Sequence, residues 1–251
     1  MLRQFLTNST KQNRFDHEEI KEVMDLCLSC KGCKTECPSS VDVAKMKAEF
    51  LQHYYDANGA PFRSKIIANF TKSQHLGSKV APLYNFFSQN KFFSGIIKQI
   101  VGFAPDRSLP EVSSVTLKQW IKKQNSQSTK RKVYLFCDEF TDYNDTSIGK
   151  TAYKLLTDLG YEVLLAPSKE SGRTYLSKGF VKEAKKLANA NVSLLKDKIT
   201  AETPLLGIEP SAIITFRDEY VTLVDAELKA DAMRLASNAL MIDEFLSQEI
   251  D

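Results

Sequence analysis

The chain has 251 residues, 43% of them hydrophobic and 26% charged, with a formal net charge of +3. This is the composition of an ordinary globular protein with room for one large domain or two small ones. No run of about eighteen apolar residues suggests a membrane-crossing helix. The opening MLRQFLTNSTKQNRF lacks the apolar core and cleavage site of a secretory signal. A cytoplasmic location is therefore expected, and a disulfide framework is not, because that compartment keeps thiols reduced.

Taken in chain order, residues 16–26 predict a helix. Asp16 is its expected cap, Glu18 and Glu19 lie in its first turn, and Ile20, Val23, Met24 and Cys27 share one face. A cysteine-rich loop follows, closed by Pro38. Ser39 or Ser40 then caps a second helix, VDVAKMKAEFLQHYYDANG, with Val43, Met46, Phe50 and Tyr54 on its apolar side and Gly59 as its stop. Short helices are expected around 62–70, 78–87 and 90–102, and the Ser/Gln/Lys-rich stretch 122–132 reads as a linker.

The composition then changes. KVYLFC (132–137) has the character of a buried strand, SIGKTAYKLLTDLG (147–160) is a helix stopped by Gly160, and YEVLLA (161–166) is a second strand. YLSKGFVKEAKKLANA (175–190) reads as one helix, LLGI (205–208) and AIITF (212–216) as short strands, and 225–247 as closing helices. Such alternation argues for a parallel or mixed sheet covered by helices. The expected fold class is α+β overall: a helical, ferredoxin-like N-terminal domain over 1–125, then an α/β domain over 130–251.

Charge is unevenly spread. From Ala60 to Lys132 there are thirteen Lys or Arg against two acids, Asp106 and Glu111. A solvated basic face would produce this, as would a surface for an acidic partner or an anionic membrane, the latter placing the protein peripherally at the inner face of the membrane. Nucleic acid is not expected. The aromatics come in apolar pairs, as in FFSQNKFF, with no DNA- or RNA-binding module around them.

Four of the five cysteines lie within eleven residues, as Cys27, Cys30, Cys33 and Cys37 in the pattern C-x2-C-x2-C-x3-C-P. Spacings this short let one tight loop direct three thiolates at a single cubic 4Fe-4S cluster, while the fourth cysteine serves a different cluster when two are present. Zinc also binds four thiolates, but its sites usually combine two separated pairs. Lys31 and Lys34 are placed to offset an anionic cluster. His17, His53 and His75 are scattered and no acid–base pair stands out, so electron relay without catalysis at this site is the direct reading. Cys137 ends a strand, where open parallel sheets bind ligands, although a lone buried cysteine more often acts as a small core hydrophobe. SIGKT (147–151) lacks the glycine spacing of a phosphate-binding loop.

These residues resemble a known family. MDLCLSCKGCKTECPSSVDVAKMKAEFL (24–51) is similar to the second ferredoxin-type motif of FAD-linked oxidoreductases of the D-lactate and glycolate dehydrogenase type. The likeness continues through GAPFRSK, PLYNFF, VYLFCDEF, SGRTYLSKGFVKEAKKLA (171–188) and GIEPSAIITFRDEY (207–220), and so covers nearly the whole chain. It implies the iron–sulfur portion of a 2-hydroxy-acid dehydrogenase, with FAD only on a partner subunit or domain. It also implies a first motif upstream of the position at which this chain begins.

Two departures matter. The family's Cys-Cys-Gly-Arg block is Glu170, Ser171, Gly172 and Arg173 here, and its Glu-Pro-Ser-Cys block is Glu209, Pro210, Ser211 and Ala212. With only Cys137 left, the second domain is expected to hold no cluster and to serve as a docking scaffold, with Asp138, Glu170, Arg173 and Glu209 lining a polar pocket. The alternative to an electron-transfer module is a non-redox scaffold or regulatory protein that kept the fold and lost the chemistry.

Overall fold

The computed structural model describes residues 2–124 and 131–250. Residues 125–130, in the middle of the expected linker, lie outside the described residues. The N-terminal part contains α1 (Leu2–Asn8), α2 (Glu18–Asp25), α3 (Gly32–Glu36), α4 (Val43–Asn58), α5 (Phe62–Ala68), α6 (Phe70–Lys79), α7 (Ala81–Gln89), α8 (Lys91–Val101) and α9 (Leu117–Ile121). There follow β1 (Lys132–Phe136), α10 (Thr146–Asp158), β2 (Glu162–Leu165), α11 (Arg173–Ser177), α12 (Val181–Leu195), β3 (Leu205–Gly207), α13 (Pro210–Asp218), α14 (Tyr220–Leu223), α15 (Lys229–Ser237), β4 (Ala239–Met241) and α16 (Ile242–Ile250). No helix of the described residues is long and apolar enough to cross a membrane.

The chain packs as two compact units. The first comprises residues 1–69 with 174–183, and the second 70–173 with 184–251. These follow packing, whereas the 1–125 and 130–251 division follows composition.

In the first unit, α2 and α4 bury Ile20, Met24, Phe50, Leu51 and Tyr55 in one core, with Phe15 and Phe180 packed against it. The α4 stripe keeps Phe50 in the core and Tyr54 packed against it as expected, but is otherwise shifted by one residue. Its buried positions are Ala44, Lys47, Ala48, Phe50, Leu51 and Tyr55, so the small alanines rather than Val43 and Met46 approach the core. Two expected caps are also corrected. Asp16 does not cap α2: its carboxylate accepts from Asn58 Nδ2 at 2.7 Å, and His17 holds the cap position without a side-chain bond. Neither Ser39 nor Ser40 caps α4; Asp42 does, accepting from the Lys45 N–H at 2.9 Å. Gly59, at φ 77°, ends α4 as expected.

The second unit is built on a four-stranded sheet in the order β2-β1-β3-β4, parallel throughout. Strand alternation sends Val133, Leu135 and Cys137 to one face, packed with Leu117, Tyr153, Leu156 and Phe245. Phe136 and Leu205 point to the other face, toward Val192, Phe216 and Leu235. Helices therefore cover both faces, as an all-parallel sheet requires. AIITF is not a strand. It lies inside α13, which begins with Pro210 in its first turn and has Glu209 as its cap. β4, hidden in the expected closing helices, completes the sheet. The expected helix over 175–190 is split in two, because Gly179 adopts φ 77° between α11 and α12.

Candidate metal centre

The cysteine loop belongs to the first unit and joins α2 to α4. α2 stops at Asp25, and the Cys27 N–H bonds back to the Met24 carbonyl. Ser29 and Lys31 then take left-handed backbone angles, φ 56° and 62°, unusual for residues with a side chain. These two turns bend the chain tightly around Cys30 before α3 carries Cys33. Cys37 closes α3, its N–H bonding to the Cys33 carbonyl, and a third left-handed residue, Ser40 at φ 49°, redirects the chain into α4. Local backbone conformation, rather than burial, thus holds four thiols in one short arc.

All four are free thiols. Cys30 is exposed, and Cys27, Cys33 and Cys37 are half-buried. Backbone N–H groups already serve two of the sulfurs. The Ser29 N–H donates to Cys27 Sγ at 3.4 Å. The N–H groups of Val41, Ser39 and Ser40 hold the Cys37 thiol below its ordinary range. At Cys37 such donors favour thiolate, the form that ligates metal. The donor set therefore fits an iron–sulfur cluster chemically. The side chains do not yet converge: among the described residues no group of three or more His, Cys, Asp or Glu is placed to hold a metal ion.

A residue that the sequence reading missed supports the loop from below. Lys47 is buried, and its Nζ donates to the Cys27 carbonyl at 2.7 Å. It falls in the stripe Ala44, Lys47, Ala48, Leu51, and a cation at that spacing was the signal available. Beside it lies a cavity of about 260 Å³ bordered by Lys47, Arg63, Lys178 and Asp25. Burial, and then the cations Lys47 and Arg63, depress the Lys178 ammonium. The ground under the loop is therefore electropositive, which suits an anionic cluster. Of the two lysines singled out in the loop, Lys31 pairs with Asp42 at 3.9 Å. The histidines lie elsewhere: His17 bonds Ser9, His53 stacks on Phe15, and His75 meets Tyr143 in the second unit.

At the carboxyl edge of the sheet, the second unit is closed by its own side chains. Cys137 is fully buried among apolar residues, and burial pushes its thiol far up. Asp138 is buried and accepts from the Phe140 and Thr141 N–H groups and from Thr141 Oγ1. Ser171, in the degenerate block, donates its N–H and hydroxyl to the buried Glu139 at 2.9 and 2.5 Å. Arg173 pairs with Glu219 at 3.2 Å, and Glu209 bonds the Ser211 N–H at the start of α13. Ala212 is a core residue, and Glu170 is half-buried with its carboxyl raised by burial. Of the expected pocket residues, Asp138 and Glu209 lie near enough to repel, while Arg173 turns to a partner that sequence reasoning did not name.

Residues 1–42 match the model of a 4Fe-4S dicluster domain. D-2-hydroxyglutarate dehydrogenase of Escherichia coli (strain K12) is 26% identical over 97% of this chain and 25% of its own length. Its counterpart in Pantoea ananatis (strain AJ13355) is 28% identical over 94% of this chain and 23% of its own length. The chain is homologous, over most of its length, to the C-terminal part of D-2-hydroxyglutarate dehydrogenases. It is also similar to a subunit of the anaerobic glycerol-3-phosphate dehydrogenase of Escherichia coli (strain K12), at 25% identity over 74% of this chain and 48% of that one. The chain thus spans about a quarter of the hydroxyglutarate dehydrogenases and about half of that glycerol-3-phosphate dehydrogenase polypeptide. No solved structure matches it. Its N-terminal part is an iron–sulfur module related to oxidoreductases, and electron transfer is the chemistry that this kinship carries.

Proposed function

We propose that the chain is the electron-transfer iron–sulfur module of a flavin-linked 2-hydroxy-acid dehydrogenase, and that Cys27, Cys30 and Cys33, with Cys37 as the fourth thiol, hold one 4Fe-4S cluster. The cysteine arc inside the 1–42 match carries this reading. A bound cluster would accept and release single electrons. The protein's own part is to present thiolates, to direct N–H groups at sulfur, and to set Lys47 beneath the loop. All four cysteines of the matched segment belong to one motif, which supports a single cluster held by these four thiols. Leu26 and Leu28 flank Cys27 and are largely exposed, Leu28 at 89%. They form an apolar approach beside the thiols that suits a flavin-bearing partner, since electrons pass readily only across close contact.

The test is a native pull-down of the full chain from its own cells. A flavin-containing dehydrogenase should copurify, and adding a D-2-hydroxy acid to that preparation should bleach the visible cluster absorbance. Copurification with no flavoprotein, or a cluster that no hydroxy acid reduces, would contradict the assignment of the partner.

A second reading, a non-redox scaffold, draws support from the second unit. There Ser171 and Ala212 stand at the family's cysteine positions and serve as a hydrogen-bond donor and a core residue. It requires that the full chain bind no iron under anaerobic reconstitution.

A further inference from the structure

We propose that α6, α7 and α8 form a monotopic attachment surface for an anionic lipid bilayer. α7 buries Ala81 and Ser88, and α8 buries Ser94 and Val101. Gly77 of α6 faces Tyr84 of α7 so closely that a methyl group there would lie 2.9 Å from the ring. The large apolar side chains point the other way. Leu76, Leu83, Phe86, Phe92, Ile96 and Ile100 are all exposed, Phe92 at 70% and Ile100 at 66%.

On α8 the exposed residues Phe92, Phe93, Ile96, Ile97 and Ile100 form one continuous stripe, while Ser94 faces inward at 4% exposure. Phe93 touches both Phe86 and Phe87, with ring centroids 6.2 and 4.9 Å apart, so the stripes of α7 and α8 merge into one patch. Helices folding in water normally bury such a stripe. Small residues between helices and large apolar ones outside is the arrangement found where hydrocarbon is the surrounding solvent. A connected apolar patch of this kind marks an interaction surface.

Charge selects the occupant. Residues 70–103 carry Lys72, Lys79, Lys91 and Lys98 and neither an Asp nor a Glu. Protein–protein interfaces are depleted in lysine relative to the rest of the surface, whereas an apolar helix face with lysines on the other, polar face is the pattern that binds anionic headgroups. Length fixes the mode. α6, α7 and α8 have 10, 9 and 11 residues, about half of the roughly 20 needed to span a bilayer. They therefore lie in one leaflet. This inference does not depend on the electron-transfer reading, because vesicle binding requires no cluster.

Vesicle co-sedimentation of the full chain tests it, using phosphatidylcholine alone and phosphatidylcholine mixed with phosphatidylglycerol. Binding should be at least about tenfold tighter to the anionic vesicles and should weaken as salt is raised, since screening reaches about 10 Å at 0.1 M. A Phe92→Ser, Ile96→Ser, Ile100→Ser variant should lose at least about tenfold of that binding at low salt while keeping its helical circular dichroism. Should that variant not fold, Lys79→Glu with Lys91→Glu, at exposed positions, should weaken binding to the anionic vesicles alone. Failure of the native chain to bind at low salt overturns the proposal. So does self-association in lipid-free buffer, or lipid-free retention on a flavoprotein, that either variant abolishes: the face would then belong to a second copy or to a protein partner.

Discussion

Glu139 shows how burial reshapes a single carboxyl. It is buried beside Ser171, and burial pushes its pKa from an ordinary 4.5 to about 7. A carboxyl raised in the folded state binds more protons than the unfolded chain between those two values, so its contribution to stability falls as pH rises through that window. Asp138 and Glu170 are raised in the same direction by burial. In urea unfolding from pH 4.5 to 7.5, Glu139→Gln should gain on the native chain with rising pH by roughly 2–3 kcal/mol; parallel curves would show that Glu139 does not titrate there. Cys137, by contrast, is packing alone. Cys137→Ser places a hydroxyl in an apolar core and should cost about 1–3 kcal/mol in the same assay without altering bound iron. Loss of iron in that variant would make Cys137 a ligand. The four loop cysteines stand out as a candidate site because their spacing is local and visible in the sequence. Glu139 and Lys47 do not, since their roles come from neighbours 32 and 20 residues away.

Gly179 governs the behaviour of a whole segment. Its left-handed backbone separates α11 from α12, and a methyl group on it would lie 2.3 Å from Leu51 Cβ on α4. Gly179→Ala therefore meets both backbone strain and a clash with a buried residue. It should destabilise the protein by about 2 kcal/mol or more, read as a lowered thermal midpoint. An unchanged midpoint would mean that this approach is not tight. The sequence pattern around it looked like one uninterrupted helix, since a single glycine is tolerated in many helices. β1 and β2 were readable as apolar runs bounded by turn residues. AIITF was misassigned because a short apolar run does not distinguish a strand from a buried helix; Pro210 in the first turn and Glu209 before it were the better guide. β4 escaped because three residues are too few to show a period.

For the whole molecule, the sheet order places β2 on one side of β1 and β3 on the other. The carboxyl ends of β1 and β3 thus mark the point where a parallel sheet of this kind most often binds a ligand. Here that point is filled by Asp138, Glu139 and their donors, while the accessible thiols and the electropositive ground lie in the other compact unit. The sequence pointed to this division through Ser171 and Ala212. It did not show that residues 174–183 pack with the N-terminal unit, because such long-range packing leaves no local period. Iron content tests directly the proposal that the redox capacity of this chain lies in the cysteine arc. After anaerobic reconstitution, the full chain should hold about four iron and four sulfide. Cys27→Ser, Cys30→Ser and Cys33→Ser should each lose most of both, since an alkoxide oxygen suits such a cluster poorly. A native chain with no stoichiometric iron, or three serine variants with unchanged iron and spectrum, would contradict the account.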